Sequence, residues 1–462
     1  MKIKNYFQFI FNKYKITLIF VLLNILFHLI LFFLNHKFVF TNSGNGRSNN
    51  WKSSQIFLVF IFFNLFVVLA IFIFEFFNSK IRTLKLKVGT GTILFTIVYI
   101  PSLLTLYFRD LIDKYFLYFF SIGHIFPNFS DLRGVLVGIN EVNTVGQQIP
   151  CEVNQCASTA WIYGRMLLYL GNIPVNNFSV YSIVFILTLI FLQLVKKLRT
   201  SFTENALHFI FFISPPIVLL FERFNIEILI AILLLYAFNL YNKNNFLLSF
   251  ALVGIASLIK FFPLVLCIFY FKKFIPRLQR LIILIQIFII SSIVYQDNLN
   301  LGADISPGLT GTVGLKNIYL ILSSSNYPVV LVFIFLIIFG FALNYINQML
   351  LEQNLNKNYI INKTDKFGLE YFGLLFIFCF FVNSNYIYRF IFLYFAIVYL
   401  WKIFPNRDIL LNILIIYFFY ASQPAAVWNL SRNLGTVFIL FILIKLIKIS
   451  FYDSFSLKMR DE

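Results

Sequence analysis

Ile16-Thr17-Leu18-Ile19-Phe20-Val21-Leu22-Leu23-Asn24-Ile25-Leu26-Phe27-His28-Leu29-Ile30-Leu31-Phe32-Phe33 is an apolar run interrupted only by Thr17, Asn24 and His28. An α-helix rises about 1.5 Å per residue, so roughly 20 such residues cross a hydrocarbon core about 30 Å thick. Lipid offers no partner to a free backbone group, so a run of this kind crosses as a helix. Lys2, Lys4, Lys13 and Lys15 precede it, as basic residues precede a signal sequence. The run is long and no small-residue cleavage site follows, so it reads as a retained helix. Comparable runs recur throughout the 462 residues, of which 60% are hydrophobic and 20% aromatic.

Basic residues gather where these runs end. The clusters are Lys2 to Lys15; Lys80, Arg82, Lys85 and Lys87; Lys196, Lys197 and Arg199; Lys272, Lys273, Arg277 and Arg280; Lys357, Lys363 and Lys366; Lys402 and Arg407; and Lys445 through Arg460. Placed together on the cytoplasmic side, they let the spans alternate without conflict. The net charge of +19 is therefore read as a set of topology determinants, and nucleic acid is not an expected partner. One external loop departs from the rule, since Lys37, Arg47 and Lys52 lie between the first two spans.

The fold expected is an all-α integral membrane protein with about fourteen transmembrane helices. The spans fall near residues 16–34, 56–76, 91–108, 179–195, 206–221, 225–241, 247–259, 261–272, 280–295, 327–346, 369–383, 389–404, 408–421 and 434–449. The pair at 247–272 is the least secure, because each half is short and a single tilted helix there would invert everything after it. Residues 1–90 form an N-terminal transmembrane hairpin, 91–450 a transmembrane domain with an external loop at 109–177, and 451–462 a cytoplasmic tail.

That external segment, from Arg109 to Asn177, is where recognition or chemistry is expected. Its charges nearly cancel: Arg109, Lys114, Arg133 and Arg165 against Asp110, Asp113, Asp131, Glu141 and Glu152. Phe116 to Phe126 is aromatic and apolar, as suits a helix lying in the membrane interface. Ser130 or Asn128 caps a helix starting near Asp131. Asp131 then either complements the helix dipole or carries chemistry. Cys151 and Cys156 have the spacing of a small disulfide loop. A metal site would need two more ligands, and His124 is the nearest of only four histidines, so no metal is expected. Cys267 and Cys379 lie inside apolar runs and read as packing residues.

Three further external elements carry charge. Phe221-Glu222-Arg223-Phe224-Asn225-Ile226-Glu227 sets two acids and a base in a short turn between apolar runs. Charges at that depth line a cavity or pair with one another, as Glu222–Arg223 or Arg223–Glu227. Lys260 stands between two apolar stretches, where it either snorkels at a hairpin turn or binds an anion. Asn383 to Arg389 forms another turn, with Arg389 at the mouth of a span, and Arg432 follows later. Arg133, Arg165, Arg223, Lys260, Arg389 and Arg432 share one depth in this topology with the carboxylates Asp131 and Glu227. Such a set suits a lipid carrying phosphate. Cations hold the phosphate, and a carboxylate takes the proton of an attacking hydroxyl.

Ser214-Pro215-Pro216 through Glu227, then Val253-Gly254-Ile255 and Leu258-Ile259-Lys260-Phe261-Phe262-Pro263, resemble the polytopic GT-C glycosyltransferases. The nearest branch is mannosyltransferase-like and often labelled only as a domain of unknown function. It shows a Glu-Arg-Gly-Asn-x-Asp turn and then a Leu-Gly-Leu…Leu-Lys-x-x-Pro stretch. Asp131-x-Arg133, Pro150-Cys151, Tyr163-x-Arg165 and Asn385-x-x-Tyr388-Arg389-Phe390-Ile391-Phe392-Leu393 are similar to motifs of related bacterial membrane proteins. The resemblance covers about residues 120–395. It implies an external active site, a polyprenyl-phosphate sugar donor, a glycan or lipid acceptor and no cofactor. It also implies Asp131 as general base, with Arg133, Arg165, Arg223, Glu227, Lys260 and Arg389 contacting phosphate or sugar. Phe224 stands where the family has Gly, Glu227 where it has Asp, Val253 and Ile255 where it has Leu, and Gly164 where it has Pro. Many members carry the acid after the first span. Here it follows the third, so two spans are an N-terminal addition.

The rival reading is a transporter or flippase of lipid-linked sugars. That class carries repeated halves or broken helices at matching positions, and no internal repeat stands out. A purely structural assembly protein would need no charged cleft, and Asp131, Arg223 and Lys260 would then lie more than about 20 Å apart, beyond the reach of one small-molecule pocket. Richness in Phe, Ile, Asn and Lys matches AT-biased coding, and the expected location is a bacterial inner membrane with the site facing the periplasm. In an endoplasmic reticulum, Asn128-Phe129-Ser130, Asn177-Phe178-Ser179 and Asn429-Leu430-Ser431 would be glycan acceptors.

Overall fold

The computed structural model describes residues 3–33, 61–72, 129–145, 166–167, 173–198, 211–212, 214–271, 275–300, 312–313, 340–341, 344–345, 348, 362–382, 385–386, 389–403, 407–421 and 425–458. They are helical almost throughout. The first helices are α1 (Ile3–Lys13), α2 (Lys15–Phe33), α3 (Ile61–Phe72), α4 (Ser130–Val145), α5 (Asn177–Leu198), α6 (Pro215–Arg223), α7 (Glu227–Asn242) and α8 (Phe246–Ile259). A 3-10 helix over Phe262–Phe271 and α9 (Arg277–Asn300) follow. The last are α10 (Lys363–Val382), α11 (Phe390–Ile403), α12 (Arg407–Ile416) with a π-turn at Tyr417–Ala421, and α13 (Ala425–Lys458). One two-residue antiparallel pairing joins β1 (Thr312–Val313) to β2 (Asn385–Tyr386), just before α11.

The middle of the chain folds back on itself twice, giving three arms. Ser249 Oγ, near the start of α8, donates 2.7 Å to the carbonyl of Ala237 on α7 and lies 2.6 Å from the Tyr270 hydroxyl. The Tyr241 hydroxyl donates 2.9 Å to the carbonyl of Phe269. These bonds join the end of α7, the start of α8 and the end of the 3-10 helix, so the three arms are antiparallel and Lys260 sits at the tip of a hairpin. The arms match in length. Ten 3-10 residues at about 2.0 Å each reach as far as the fourteen α residues of α8 at about 1.5 Å each. The region 247–272 is thus two short arms and not one tilted helix.

α10 and α11 form a second hairpin alongside. Phe376 meets Phe390 at 5.4 Å near its tip, Phe372 stacks on Tyr399 at 6.0 Å farther down, and Lys402 Nζ stands 4.0 Å from Asp365 Oδ1 at the open end. Gly368 makes the close approach possible, since a β-carbon there would fall 2.5 Å from the Tyr399 ring. Gly254 lies between α8 and α9, where a β-carbon would fall 2.6 Å from Ile290 Cδ1. Lys243, Lys363 and Lys402 therefore lie at one end of the bundle, and Glu227, Lys260 and Arg389 at the other.

Among the described residues, Asn177–Leu198 and Arg277–Gln296 are long and apolar enough to cross a membrane, with mean hydropathies of 2.4 and 2.0. Their outward faces suit lipid: Phe178 is 83% and Phe288 75% exposed. Most other apolar helices have 10–17 residues, because charged residues such as Glu227, Lys260 and Arg389 end them early. The expected spans near 91–108 and most of the external segment, including Phe116 to Phe126, lie outside the described residues.

An elbow stands just ahead of the first expected span, between α1 and α2. Asn5–Lys13 and Lys15–Leu26 meet at 80°. Asn412 on α12 holds this elbow: its Nδ2 donates to the carbonyls of Lys13 at 2.8 Å and Asp408 at 2.7 Å, and its Oδ1 accepts from Thr17 N–H at 2.9 Å and Thr17 Oγ1 at 2.7 Å. One buried amide satisfies a terminal carbonyl of α1 and a terminal N–H of α2, groups that helices leave without partners. Farther along, Asn64 Oδ1 accepts from the Tyr420 hydroxyl at 2.7 Å and from Asn24 Nδ2 at 3.3 Å, which ties α2 and α3 to the π-turn. Replacing Asn412 by Ala leaves these buried groups unsatisfied. The expected loss is about 3 kcal/mol, read as a lower unfolding midpoint in detergent beside an unchanged Asn12→Ala control.

Candidate functional site

The site is built at the turn between α6 and α7. Asn225 N–H bonds to Leu220 O at 3.1 Å and Phe224 N–H to Phe221 O at 3.2 Å, a Schellman closure of α6. That closure needs a left-handed residue, and Phe224 supplies it with φ 49° and ψ 58°. Glycine adopts this conformation at the least cost. A phenylalanine is tolerated because its ring is buried and meets the Phe129 ring edge-on at 6.1 Å. Phe129 is itself left-handed at φ 60° and precedes α4. Two strained aromatic residues thus brace each other, one beside each segment of the site.

Asn225 then opens α7. Its Oδ1 accepts from Glu227 N–H at 3.1 Å and its carbonyl from Ile228 N–H at 3.0 Å, a turn closed by the asparagine side chain one residue ahead of the N-cap, Ile226. Its Nδ2 donates 2.6 Å to Asp131 Oδ2 on α4. Glu227, in the first turn of α7, is 1% exposed. Its Oε1 accepts from Lys260 Nζ at 2.8 Å and from Arg389 Nε at 3.2 Å. The Arg389 guanidinium lies 4.4 Å above the Phe262 ring centroid, a cation–π contact that orients it. Lys260 also feels the charge of Asp131.

The structure therefore brings together Asp131, Glu227, Lys260 and Arg389 from four helix ends. Glu227 pairs with Lys260 and Arg389 rather than with Arg223, which closes α6 in the same turn. Arg133 is turned elsewhere: its Nη2 donates 2.7 Å to Asn177 Oδ1 at the start of α5. Asn140 exchanges two bonds with the backbone of Ile173, at 2.9 and 3.1 Å. These ties fix α4 against α5 and so fix the height of Asp131. Arg432 is fully buried in α13, apart from the Glu227 pairs. Arg165, Cys151 and Cys156 lie outside the described residues. Cys267 and Cys379 are buried free thiols.

Sequence reasoning left out Asn225, Phe262 and the Phe129–Phe224 brace. Asn225 had a signal, because an asparagine side chain readily accepts from the backbone N–H two residues on. Among the described residues no group of three or more His, Cys, Asp or Glu side chains could hold a metal ion. No family model, curated protein or solved structure matches the chain.

Two stability outcomes follow. At position 224, Gly replaces the ring without the left-handed penalty on a β-carbon, whereas Ala keeps that penalty. Both variants lose the buried ring, at about 3–5 kcal/mol for Phe→Ala, but Gly is expected to be more stable than Ala by about 1 kcal/mol, the reverse of the helical order. Chemical denaturation of the two variants side by side reads this directly. Glu227→Gln leaves Lys260 and Arg389 facing each other without their anion, and is expected to cost about 3 kcal/mol by the same assay.

Proposed function

We propose that this chain is a membrane glycosyltransferase of the GT-C type, moving a sugar from a polyprenyl-phosphate donor to a glycan or lipid acceptor on the outer face. The observation that carries the reading is a carboxylate on α4 hydrogen-bonded, through Asn225, to a turn where two cations share one carboxylate. Two cations against one anion leave one positive charge at the Lys260–Glu227–Arg389 group. A sugar linked to a lipid through one phosphate is a phosphodiester and carries one negative charge. Ionised Asp131 beside this group brings the four side chains to neutrality, so the phosphate is met by Lys260 and Arg389 as charged donors rather than by a net charge.

The chemistry uses these residues in separate roles. An acceptor hydroxyl oxygen bonds to the anomeric carbon while the bond from that carbon to the lipid phosphate oxygen breaks. The phosphate leaves with the electron pair, held by Lys260 and Arg389. The hydroxyl proton passes to Asp131. A shared site also weighs against a purely structural protein, because Asp131 and Lys260 are linked through Asn225 and Glu227. In this reading the apolar helices lie in a bacterial inner membrane and the basic ends face the cytoplasm.

The test is transfer of radiolabelled sugar from polyprenyl-phosphate donors by the reconstituted chain beside Asp131→Asn. Transfer that falls by about 10²–10⁴-fold in the variant, with unchanged insertion and melting, supports the enzyme. No transfer from any donor, with labelled lipid crossing the bilayer instead, replaces it with a transporter of lipid-linked sugars.

A further inference from the structure

We infer that Asn225 is the positioning residue of the base: it holds Asp131 by one oxygen and leaves the other to take the proton. The inference rests on the transferase reading.

The carboxamide of Asn225 cannot be reversed. The Glu227 backbone N–H only donates, so it must meet the side-chain oxygen, at 3.1 Å. The NH2 group is then committed to Asp131 Oδ2, at 2.6 Å. An ionised carboxylate only accepts, so both ends of the amide meet their complements. Asn225 itself is 5% exposed and is set by the left-handed Phe224 before it. The amide is thus fixed by backbone, and it fixes Asp131 in turn. Among the described residues Asp131 Oδ1 has no hydrogen-bond partner, although the side chain is only partly buried. One oxygen is anchored and the other is presented. A general base needs this arrangement, because proton transfer demands hydrogen-bond reach to one defined atom, and small misplacement is costly. Asn225 acts through Asp131 and does not itself touch the reacting atoms.

Substitutions at 225 can separate this role from turn building. Asn225→Asp keeps an oxygen for the Glu227 N–H and so keeps the turn, but it sets a carboxylate against Asp131 where a donor stood. Asn225→Ser keeps a shorter oxygen for the turn and removes the donor without adding charge. The exchange Asp131→Asn with Asn225→Asp rebuilds the hydrogen bond with donor and acceptor reversed, placing the carboxylate on the wrong side.

The experiment measures steady-state sugar transfer from a polyprenyl-phosphate donor by the full chain in vesicles, with thermal melting of each variant. Asn225→Asp is expected to lower kcat about 100-fold and Asn225→Ser about 10-fold, with donor KM within about threefold of the unaltered chain. Neither change lowers the rate further in an Asp131→Asn background, because the two residues act as one unit. The exchanged pair melts like the unaltered chain and transfers no faster than Asp131→Asn alone. Wild-type kcat in both Asn225→Asp and Asn225→Ser overturns the inference, as does an undiminished effect of either change in the Asp131→Asn background. If Asn225→Asp does not fold, Asn225→Ser and the exchanged pair decide the same question. An unaltered chain that transfers no sugar removes the transferase reading, and the inference with it, and is distinguished by its own rate from a failure at position 225.

Discussion

One buried carboxylate, Glu227, organises the end of the bundle that carries the site. Glu227 has almost no exposure, and its Oε1 accepts from both Lys260 and Arg389. A charge removed from water must be compensated close by. The two residues that compensate it stand 33 and 162 positions away along the chain. The chain can bring them there only by ending α7, α8 and α11 at one level. The hairpins, their matched arm lengths and the early stops of the helices are consequences of that requirement.

The same economy appears at the N-terminal elbow. Asn412 gathers the Lys13 carbonyl, the Asp408 carbonyl and the N–H and hydroxyl of Thr17 around one amide. Asn64 gathers Asn24 and Tyr420. In a bundle whose surface is apolar, hydrophobic contact alone discriminates weakly between registers, since a leucine meets lipid or another leucine equally well. Polar pairs that must be satisfied select one arrangement. Gly368 then lets α10 meet α11 at a distance that a β-carbon against the Tyr399 ring would forbid.

Strain sits where the site is made. Phe129 and Phe224 both have positive φ, and one adjoins each segment that contributes to the Asp131–Asn225 bond. Each costs on the order of 1–2 kcal/mol in backbone terms, offset by burial of two rings that brace each other. A glycine at 224 would make the turn with less strain but would leave the α4 side of the site without its wall. Phenylalanine at 224 therefore has a local reason, which is the aromatic partner at 129.

Run length and composition alone determined the helical class, the apolar character of α5 and α9, and the clustering of basic residues at the ends of apolar runs. They did so because each of these depends only on neighbours in sequence. The acids and bases of the site were also legible as residue types, since Asp131, Glu227, Lys260 and Arg389 interrupt apolar stretches where charge is costly. Their pairing was not. Arg223 is Glu227's near neighbour in sequence, yet Lys260 and Arg389 hold it, because the Schellman turn at Phe224 and the hairpin tip at Lys260 decide which side chains share a level. Arg133, two residues from Asp131, turns toward Asn177 for a similar reason: successive positions on a helix point about 100° apart. The number of helices long enough to cross a membrane was likewise a tertiary outcome. Hydropathy counts apolar residues, whereas helix ends here are placed by buried charge, and only the folded chain shows which charges meet.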